Sequence, residues 1–254
     1  MNMVVAVRLV PDLVEELNID SSGKALDMAW MRLILNEFDE HAIEQAILLK
    51  ERGGGQVTVI VADVDGADDV LYAAAAKGAD QLIKLTGDWE AGVNNHALAR
   101  IYAAHIRPLQ PDLVLTGVQA HNDLDGSLGP LLAHYLGMPY VGYVAGVQPR
   151  NGKVIARKEY PGGLVAEVEV ALPATLGIQA AEQPPRYVAF SRIRQAMKTA
   201  SLVEQPVAGL DPGGGPSVTR MFQPEVGQRA TMLTGTSQEV AAKLIEIFRE
   251  RGVL

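Results

Sequence analysis

Short apolar runs alternate with helical patterns along the first half of the chain, and this alternation restricts the fold more than any other feature. The four runs, each a predicted β-strand, occupy residues 3–9, 57–62, 82–85 and 113–116. Apolar residues recur at helical spacing over residues 38–52, 67–77, 95–106 and 127–137. Strands that alternate with helices form βαβ units. We therefore predict an α/β fold with a parallel sheet covered by helices on both faces.

The second half of the chain has a different pattern. Residues 154–160 and 164–172 flank Pro161-Gly162-Gly163, which predicts a β-hairpin, and residues 174–179 predict one more strand. Prolines and glycines accumulate over residues 205–228 and indicate an extended arm, which ends in an amphipathic helix over residues 237–251. We predict two parts, an α/β domain over residues 1–200 and a C-terminal arm and helix over residues 201–254. The apolar face of that helix packs either on its own domain or on a partner chain.

Composition excludes several classes of function. The absence of cysteine removes disulfides, thiolate catalysis and cysteine-ligated metals. A net charge of −8 without a basic run argues against nucleic-acid binding. There is no basic leader and no apolar run of membrane-spanning length, so we expect a cytoplasmic protein that does not insert into membranes.

The segment of residues 112–139 predicts a buried strand, a polar loop and a helix. Gly117, Gly126 and Gly129 allow close approach of a ligand to the backbone, and the helix N-terminus suits a phosphate. An ordinary strand–loop–helix crossover explains the same pattern. Asp123 and Asp125 are either paired acids or, more in keeping with their position, residues that set the turn and cap the helix.

Catalytic and metal-binding motifs are missing. The five histidines form no HxxxH or HExxH spacing, and neither GxSxG nor GxxxxGK[ST] occurs. The loop carries no lysine that would activate a phosphate, which argues against a hydrolase or ligase. The residues alone thus predict a nucleotide-sized site without evident catalytic machinery and without a metal.

Six stretches, in order along the chain, resemble the β (small) subunit of electron transfer flavoproteins. They are VAVRLVPD, LNEFDEHAIEQAILLKERGG, AAAAKGAD, GVQAHNDLDGSLGPLLAHYLGMP, KEYPGGLVAEVEVALPATLGI and PPRY. The resemblance runs to Lys198 and is less distinct beyond it.

The resemblance implies an adenine-nucleotide-binding, Rossmann-like domain that pairs with a larger α subunit. In this family the α subunit holds the redox-active FAD, and the β subunit buries a structural AMP. Electrons arrive from flavin dehydrogenases, often the acyl-CoA dehydrogenases of fatty acid oxidation, and leave to a membrane quinone oxidoreductase or another acceptor. The implied role is that of an electron carrier subunit and not of an enzyme.

Carried over from the family, the AMP site falls on strand ends and loops. The implied cofactor-binding residues are Ala6, Asn36, Glu37, Phe38, Asp39, Ala62, Gly117, Gln119, Asn122, Asp123, Asp125, Gly126, Ser127 and Leu128. Many relatives have a hydroxyl or amide residue where this chain has Gly126 and Leu128, so backbone donors and Ser127 would compensate. Because Asp123 and Asp125 would repel a phosphate, we expect them to face solvent or to cap the helix.

Two aromatic residues have implied roles beyond the nucleotide. Phe38 matches an aromatic that approaches the flavin of the α subunit, although plain core packing explains it too. Residues 188–194 match the family's recognition loop for dehydrogenases. Phe190 would be the anchor, with Val188, Ala189 and Ser191 beside it. Relatives often have leucine at the Phe190 position and proline at the Ser191 position.

Two other functions remain open at this point. In electron-bifurcating relatives the β subunit holds a second FAD in place of AMP. A stand-alone adenine-nucleotide sensor of the universal-stress type shares the fold, although the proline-rich arm and the final helix argue against it.

Overall fold

The computed structural model describes residues 1–89, 93–124, 126–209, 211, 213–224, 227 and 230–254. Its contacts divide the chain into two compact units, Met1–Thr219 and Arg220–Leu254. The division lies beyond the predicted boundary at residue 200.

The first unit carries all of the strands in the described part of the chain. In order they are β1 (Asn2–Ala6), β2 (Leu9–Pro11), β3 (Leu33–Leu35), β4 (Gln56–Ala62), β5 (Gln81–Thr86), β6 (Leu113–Gly117), β7 (Tyr140–Val144), β8 (Val147–Arg150), β9 (Lys153–Tyr160), β10 (Leu164–Ala171), β11 (Ala174–Ile178) and β12 (Leu202–Pro206). The α-helices are α1 (Glu37–Gly53), α2 (Ala67–Lys77), α3 (Asn95–Ile106), α4 (Leu128–Leu136), α5 (Phe190–Thr199) and, in the second unit, α6 (Ser237–Glu250).

The main sheet has seven parallel strands in the order β12-β5-β4-β1-β6-β11-β7. It confirms the predicted α/β class, and strands β8 to β10 add the predicted hairpin as a small antiparallel sheet. The chain runs outward from β1 through β4 to β5 and then returns to β6 on the other side of β1. Ligands of such sheets bind where the strand order reverses, beyond the carboxyl ends of the strands. Here that position is the end of β1 and β6.

The core consists of one apolar layer on each face of the sheet. Side chains of β1 alternate between the layers, with Met3 and Val5 in the layer under α1 and α2 and Val4 and Ala6 in the layer under α3 and α4. This double burial explains why the central strands are continuous apolar runs.

The end of the first strand and the start of the arm differ from the prediction. The first strand ends at Ala6 and not at residue 9, because the Arg8 N–H donates to the Asp39 carboxylate instead of to a neighbouring strand. Residues 202–206, which we predicted to begin the arm, form strand β12 beside β5. There Lys84 lies 3.0 Å from Glu204 and 2.9 Å from Asp68.

The second unit contains helix α6, which confirms the predicted C-terminal helix. A capping box begins the helix, since the Thr236 side chain accepts from the Glu239 N–H and the Glu239 carboxylate accepts from the Thr236 N–H. Among the described helices, none is long and apolar enough to cross a membrane.

Candidate functional site

The carboxyl ends of β1 and β6 are tied to the first turn of α1 by one buried carboxylate. Asp39 Oδ2 accepts from the Arg8 backbone N–H at 2.9 Å, and Oδ1 accepts from the Gly117 N–H at 2.6 Å. Burial raises the pKa of the Asp39 carboxyl, while the charge of Arg8 and the two N–H donors favour its ionised form. Asp39 therefore fixes the position of both strand ends at the switch point.

Gly117 is required by the close packing of α1 against β6. A Cβ at this position would lie 2.6 Å from Asp39 Oδ1 and 2.7 Å from Phe38 Cβ. On this side the close neighbour of the glycine is α1, whereas the sequence suggested a ligand. Gly126 differs, because it has a φ of +90° and its Cβ position is open.

The loop after β6 is held by side-chain hydrogen bonds from two asparagines. Asn36 Nδ2, just before α1, donates to Gln119 O at 3.0 Å. At the start of α3, Asn95 Nδ2 donates to Gly126 O at 2.6 Å and to Asp123 Oδ1 at 2.7 Å. These bonds shape the loop without any ligand.

Asp123 does not face solvent, so the prediction for its orientation was wrong. Its side chain is only 11% exposed, and its Oδ1 lies 2.6 Å from Arg8 Nη1. Its Oδ2 accepts from the Ala120 N–H at 2.8 Å. Asp123 does not cap α4 either, because the N-cap is Ser127, whose side chain makes no capping hydrogen bond. Asp123 points inward for an electrostatic reason, since it neutralises the buried positive charge of Arg8. Asp125 lies outside the described residues.

Arg8, Asn95 and Asp123 form a hydrogen-bonded cluster beside the loop, in which Arg8 is the cation. Its side chain is 8% exposed, and Nη1 donates to Asn95 Oδ1 at 3.0 Å as well as to Asp123. Its Nε and Nη2 have no hydrogen-bond partner among the residues that the structure describes. The cluster therefore has hydrogen-bonding capacity to spare.

A cavity of about 600 Å³ adjoins Arg8, a volume in the range of small-molecule sites. It lies beyond the ends of β1 and β4 and extends to the first turn of α3. Its apolar lining includes Val61, Val64, Trp89, Val93 and Leu98, and its polar lining includes Arg8, Asn94, Asn95, Tyr102, Asn122 and Asp123. Residues 216–218 also contribute to the wall.

Tyr102 closes the gap between the ends of β1 and β4 at this cavity. Its hydroxyl donates to Val7 O at 2.8 Å and accepts from the Ala62 N–H at 3.1 Å. Burial raises the pKa of this hydroxyl, so it remains a neutral donor at physiological pH.

The predicted cofactor residues fall into three groups. Those that line the cavity are Ala62, Asn122 and Asp123. Those in the surrounding hydrogen-bond network are Asn36, Asp39, Gly117, Gln119 and Gly126. Those placed otherwise are Ala6 and Leu128, buried in the core, Glu37, which is exposed, Phe38, half-buried beside Gly117, and Ser127 at the α4 N-cap. Their part in binding stays a prediction.

Three residues of the site were missed by the sequence reasoning, namely Arg8, Asn95 and Tyr102. A signal existed for Arg8, because it comes two residues after the buried strand β1, at the edge where ligands bind. For Asn95 the signal was weaker. It follows Asn94, which caps α3 by accepting from the Ala97 N–H at 2.9 Å.

The segment over residues 188–194, predicted to dock dehydrogenases, is helical from Phe190 onward, and its docking role stays a prediction. Phe190 begins α5, is 64% exposed and has the Arg194 guanidinium 4.7 Å from its ring centroid. Ala189 and Ser191 are exposed as well, and Val188 is half-buried.

The linker before α5, residues 182–186, is bound to α1 by ion pairs and hydrogen bonds. Arg186 Nε donates to Glu44 Oε1 at 2.9 Å, and its Nη1 and Nη2 donate to Glu51 at 2.5 and 3.0 Å. Earlier in the linker, Glu182 pairs with Arg52 and accepts from the Val147 N–H at 3.1 Å. Helix α1 thus contacts the cavity cluster at its start and the docking linker farther along.

Comparison with known proteins identifies the family. The model of the electron transfer flavoprotein domain matches residues 31–209. The chain is 36% identical to the electron transfer flavoprotein subunit beta of Methylophilus methylotrophus over 98% of both chains. It is 31% identical to the subunit of the same name from Thermoanaerobacterium thermosaccharolyticum over the full length of both. It is also 30% identical, over the full length of both chains, to the caffeyl-CoA reductase-Etf complex subunit CarD of Acetobacterium woodii. The chain therefore belongs to the electron transfer flavoprotein β-subunit family, whose members pair with an α subunit and transfer electrons in a flavin-containing heterodimer.

Proposed function

We propose that this chain is the β subunit of an electron transfer flavoprotein that binds AMP as a structural ligand, while its α subunit holds the redox-active FAD. The heterodimer accepts electrons from flavin dehydrogenases of the acyl-CoA type and passes them to a quinone oxidoreductase or another acceptor. The observation that carries the proposal is the cavity beside Arg8. It lies at the carboxyl ends of the strands, where α/β folds bind nucleotides, and is lined by both apolar and polar side chains.

The lining suits the two ends of an adenylate. Val61, Val64 and Leu98 offer apolar contact for a purine ring, and the amide of Asn122 offers hydrogen bonds to a ribose. The hydrogen bonds that shape the loop are made within the protein, so a bound nucleotide would strengthen a preformed site and stabilise the fold.

A second version has FAD in this cavity in place of AMP. It is supported by the relative that is named as a subunit of a caffeyl-CoA reductase complex. The adenylate half of FAD would use the same walls. The rest of the molecule would extend from the cavity.

The test is the cofactor content of the purified heterodimer. We expect one FAD and one AMP per heterodimer, measured from the flavin absorbance and from mass spectrometry of the released nucleotides. Two FAD and no AMP would support the second version. A heterodimer without any adenine nucleotide in this chain would refute both.

We assign dehydrogenase docking to the start of α5. Phe190 is an exposed aromatic side chain on a helix with few apolar residues, and its linker is anchored by Arg186. An exposed aromatic anchor of this kind supplies much of the energy of a small interface.

Phe190→Ala should lower kcat/KM for electron transfer from the dehydrogenase by about 30-fold, because truncation of an interface anchor commonly costs about 2 kcal/mol. FAD and AMP contents should not change. Trp30→Ala is the matched control, since Trp30 is 94% exposed on a different loop. An unchanged rate in Phe190→Ala, or the same loss in both variants, would place docking elsewhere.

We further assign residues 220–254 to the surface of the α subunit. Within this unit, Leu244, Ile245 and Phe248 are partly exposed on one amphipathic helix. An apolar helix face of this kind suits a partner surface that covers it.

A further inference from the structure

Arg8 is buried, yet only one nitrogen of its guanidinium is used within the described part of the chain. Nη1 donates to Asn95 Oδ1 and Asp123 Oδ1, whereas Nε and Nη2 have no partner among the described residues. Buried cationic N–H groups without an acceptor are costly, and buried polar groups are nearly always hydrogen-bonded. An acceptor from outside the chain would complete this arrangement.

The unused nitrogens define the geometry of that acceptor. In a planar guanidinium, Nε and Nη2 present parallel N–H groups on one edge. That edge binds two oxygens of a single phosphate or carboxylate. In Arg8 the protein occupies the opposite nitrogen and leaves this bidentate edge unused. Arg8 lines the cavity of about 600 Å³, and because Nε and Nη2 are buried, the guanidinium would turn toward the cavity to meet a ligand there.

Two carboxylates lie beside Arg8, so an anion there needs further positive charge. Asp39 accepts from two backbone N–H groups, and both oxygens of Asp123 are occupied by donors. Lys24 lines the same cavity and adds a second positive charge. On its Nη1 side, Arg8 is also linked through Asn95 to Gly126, two residues before α4, so the cluster of hydrogen bonds holds the guanidinium in place.

We infer that the Nε/Nη2 edge of Arg8 binds the phosphate of the adenine nucleotide in this cavity. The inference rests on the proposed nucleotide role and deepens it. It assigns the phosphate to a side chain that the predicted AMP site did not include. The apolar lining residues Val61, Val64 and Leu98 are left for the base.

The experiment compares AMP with adenosine in the full heterodimer after removal of bound nucleotide, with both affinities measured by calorimetric titration. Arg8→Gln should weaken AMP binding by about 30-fold, the usual effect of losing charge-assisted hydrogen bonds, and adenosine binding by less than about 3-fold. Arg8→Lys keeps the charge without the fork and should give an intermediate loss for AMP.

Two variants control for folding and for general charge. Arg8→Gln leaves Asp123 buried without its cation, so Arg8→Gln/Asp123→Asn removes both charges of the pair and should restore folding without restoring AMP affinity. Arg157→Gln removes an arginine from an exposed pair with Glu159, outside the cavity, and should alter neither affinity.

The outcomes separate this inference from the proposed function. If the wild-type heterodimer binds AMP and adenosine equally, or if Arg8→Gln weakens both to the same extent, Arg8 is structural and the inference is wrong, while the nucleotide site stands. If the wild type binds neither, the AMP proposal itself fails. If it binds FAD in this cavity instead, the same comparison with FAD and riboflavin decides whether Arg8 binds the phosphates.

Discussion

Two arginines lie near opposite ends of α1, and they differ in how much of their hydrogen-bonding capacity the protein uses. Every nitrogen of the Arg186 guanidinium contacts a carboxylate of α1, and its backbone N–H also donates to Glu44 at 3.0 Å. In Arg8, at the opposite end of α1, the protein uses only Nη1 among the described contacts.

The comparison indicates two kinds of role. An arginine with all donors occupied fastens one segment to another, as Arg186 fastens the docking linker to α1. An arginine that is buried with donors to spare is incomplete without a ligand, as we infer for Arg8. Burial of the paired carboxylate does not separate the two roles, because Asp123 and Glu44 are both largely buried. The number of guanidinium nitrogens that already have an acceptor does separate them.

The largest effect on stability should come from Arg186→Met, which removes the hydrogen bonds that the Arg186 guanidinium donates to α1. Glu44 is 2% exposed and would become a buried carboxylate without its cation. We expect the free energy of unfolding to fall by about 3 kcal/mol, at the lower end of the range for broken buried pairs because Arg186 is itself partly exposed. Urea denaturation of the heterodimer measures this loss.

Arg157→Met is the control for that loss. Arg157 and Glu159 form an exposed pair, for which about 0.5 kcal/mol is the expected change. The preference of the Arg186→Met variant for AMP over adenosine should equal that of the wild type. A loss no larger than in the control would show that Arg186 does not fasten the linker, and a changed nucleotide preference would break the distinction between the two arginines.

The fold was predictable where local sequence determines burial. Strands β4, β5 and β6 are buried on both faces, so each is a continuous apolar run. Strand β12 lies at the sheet edge and is mostly exposed, and its ion pair with Lys84 joins residues far apart in sequence. Helix α5 buries only Ala196, but Phe190, Ile193 and Met197 recur with it at helical spacing, a local signal that the sequence reasoning missed. Strand β12 has no comparable local signal.

The site was predictable in its position and less so in its chemistry. The loop between Gly117 and Ser127 lies at the switch point, as the pattern of strands and helices predicts. The side chains of Arg8 and Asp123 lie 115 residues apart in sequence and are brought together only by the return of the chain to β6. A single arginine after a strand looks like an ordinary surface residue. Asp123 was expected to face solvent or to cap the helix because it would repel a phosphate, and the pairing with Arg8 that turns it inward was not foreseen.

A third arginine pair, Arg52 with Glu182, allows a finer test of the fastening role. It holds the same linker as Arg186, but Arg52 is 42% exposed and Glu182 is 20% exposed. The Arg52 guanidinium lowers the pKa of the Glu182 carboxyl below its ordinary value of 4.5, and the Val147 N–H contributes to the same shift.

Glu182→Gln should have the smallest effect, and that effect should depend on pH. Because the pKa of Glu182 is lower in the folded state, its stabilising contribution is present above the unfolded pKa and is lost as the pH falls through the folded pKa. We expect the wild type to exceed the variant by about 1 kcal/mol at about pH 7, with the difference vanishing between about pH 5 and pH 3. Urea denaturation at a series of pH values measures it. A difference that stays constant across the series would mean that Glu182 acts through packing and neutral hydrogen bonds. In that case the linker would depend on charge at Arg186 alone.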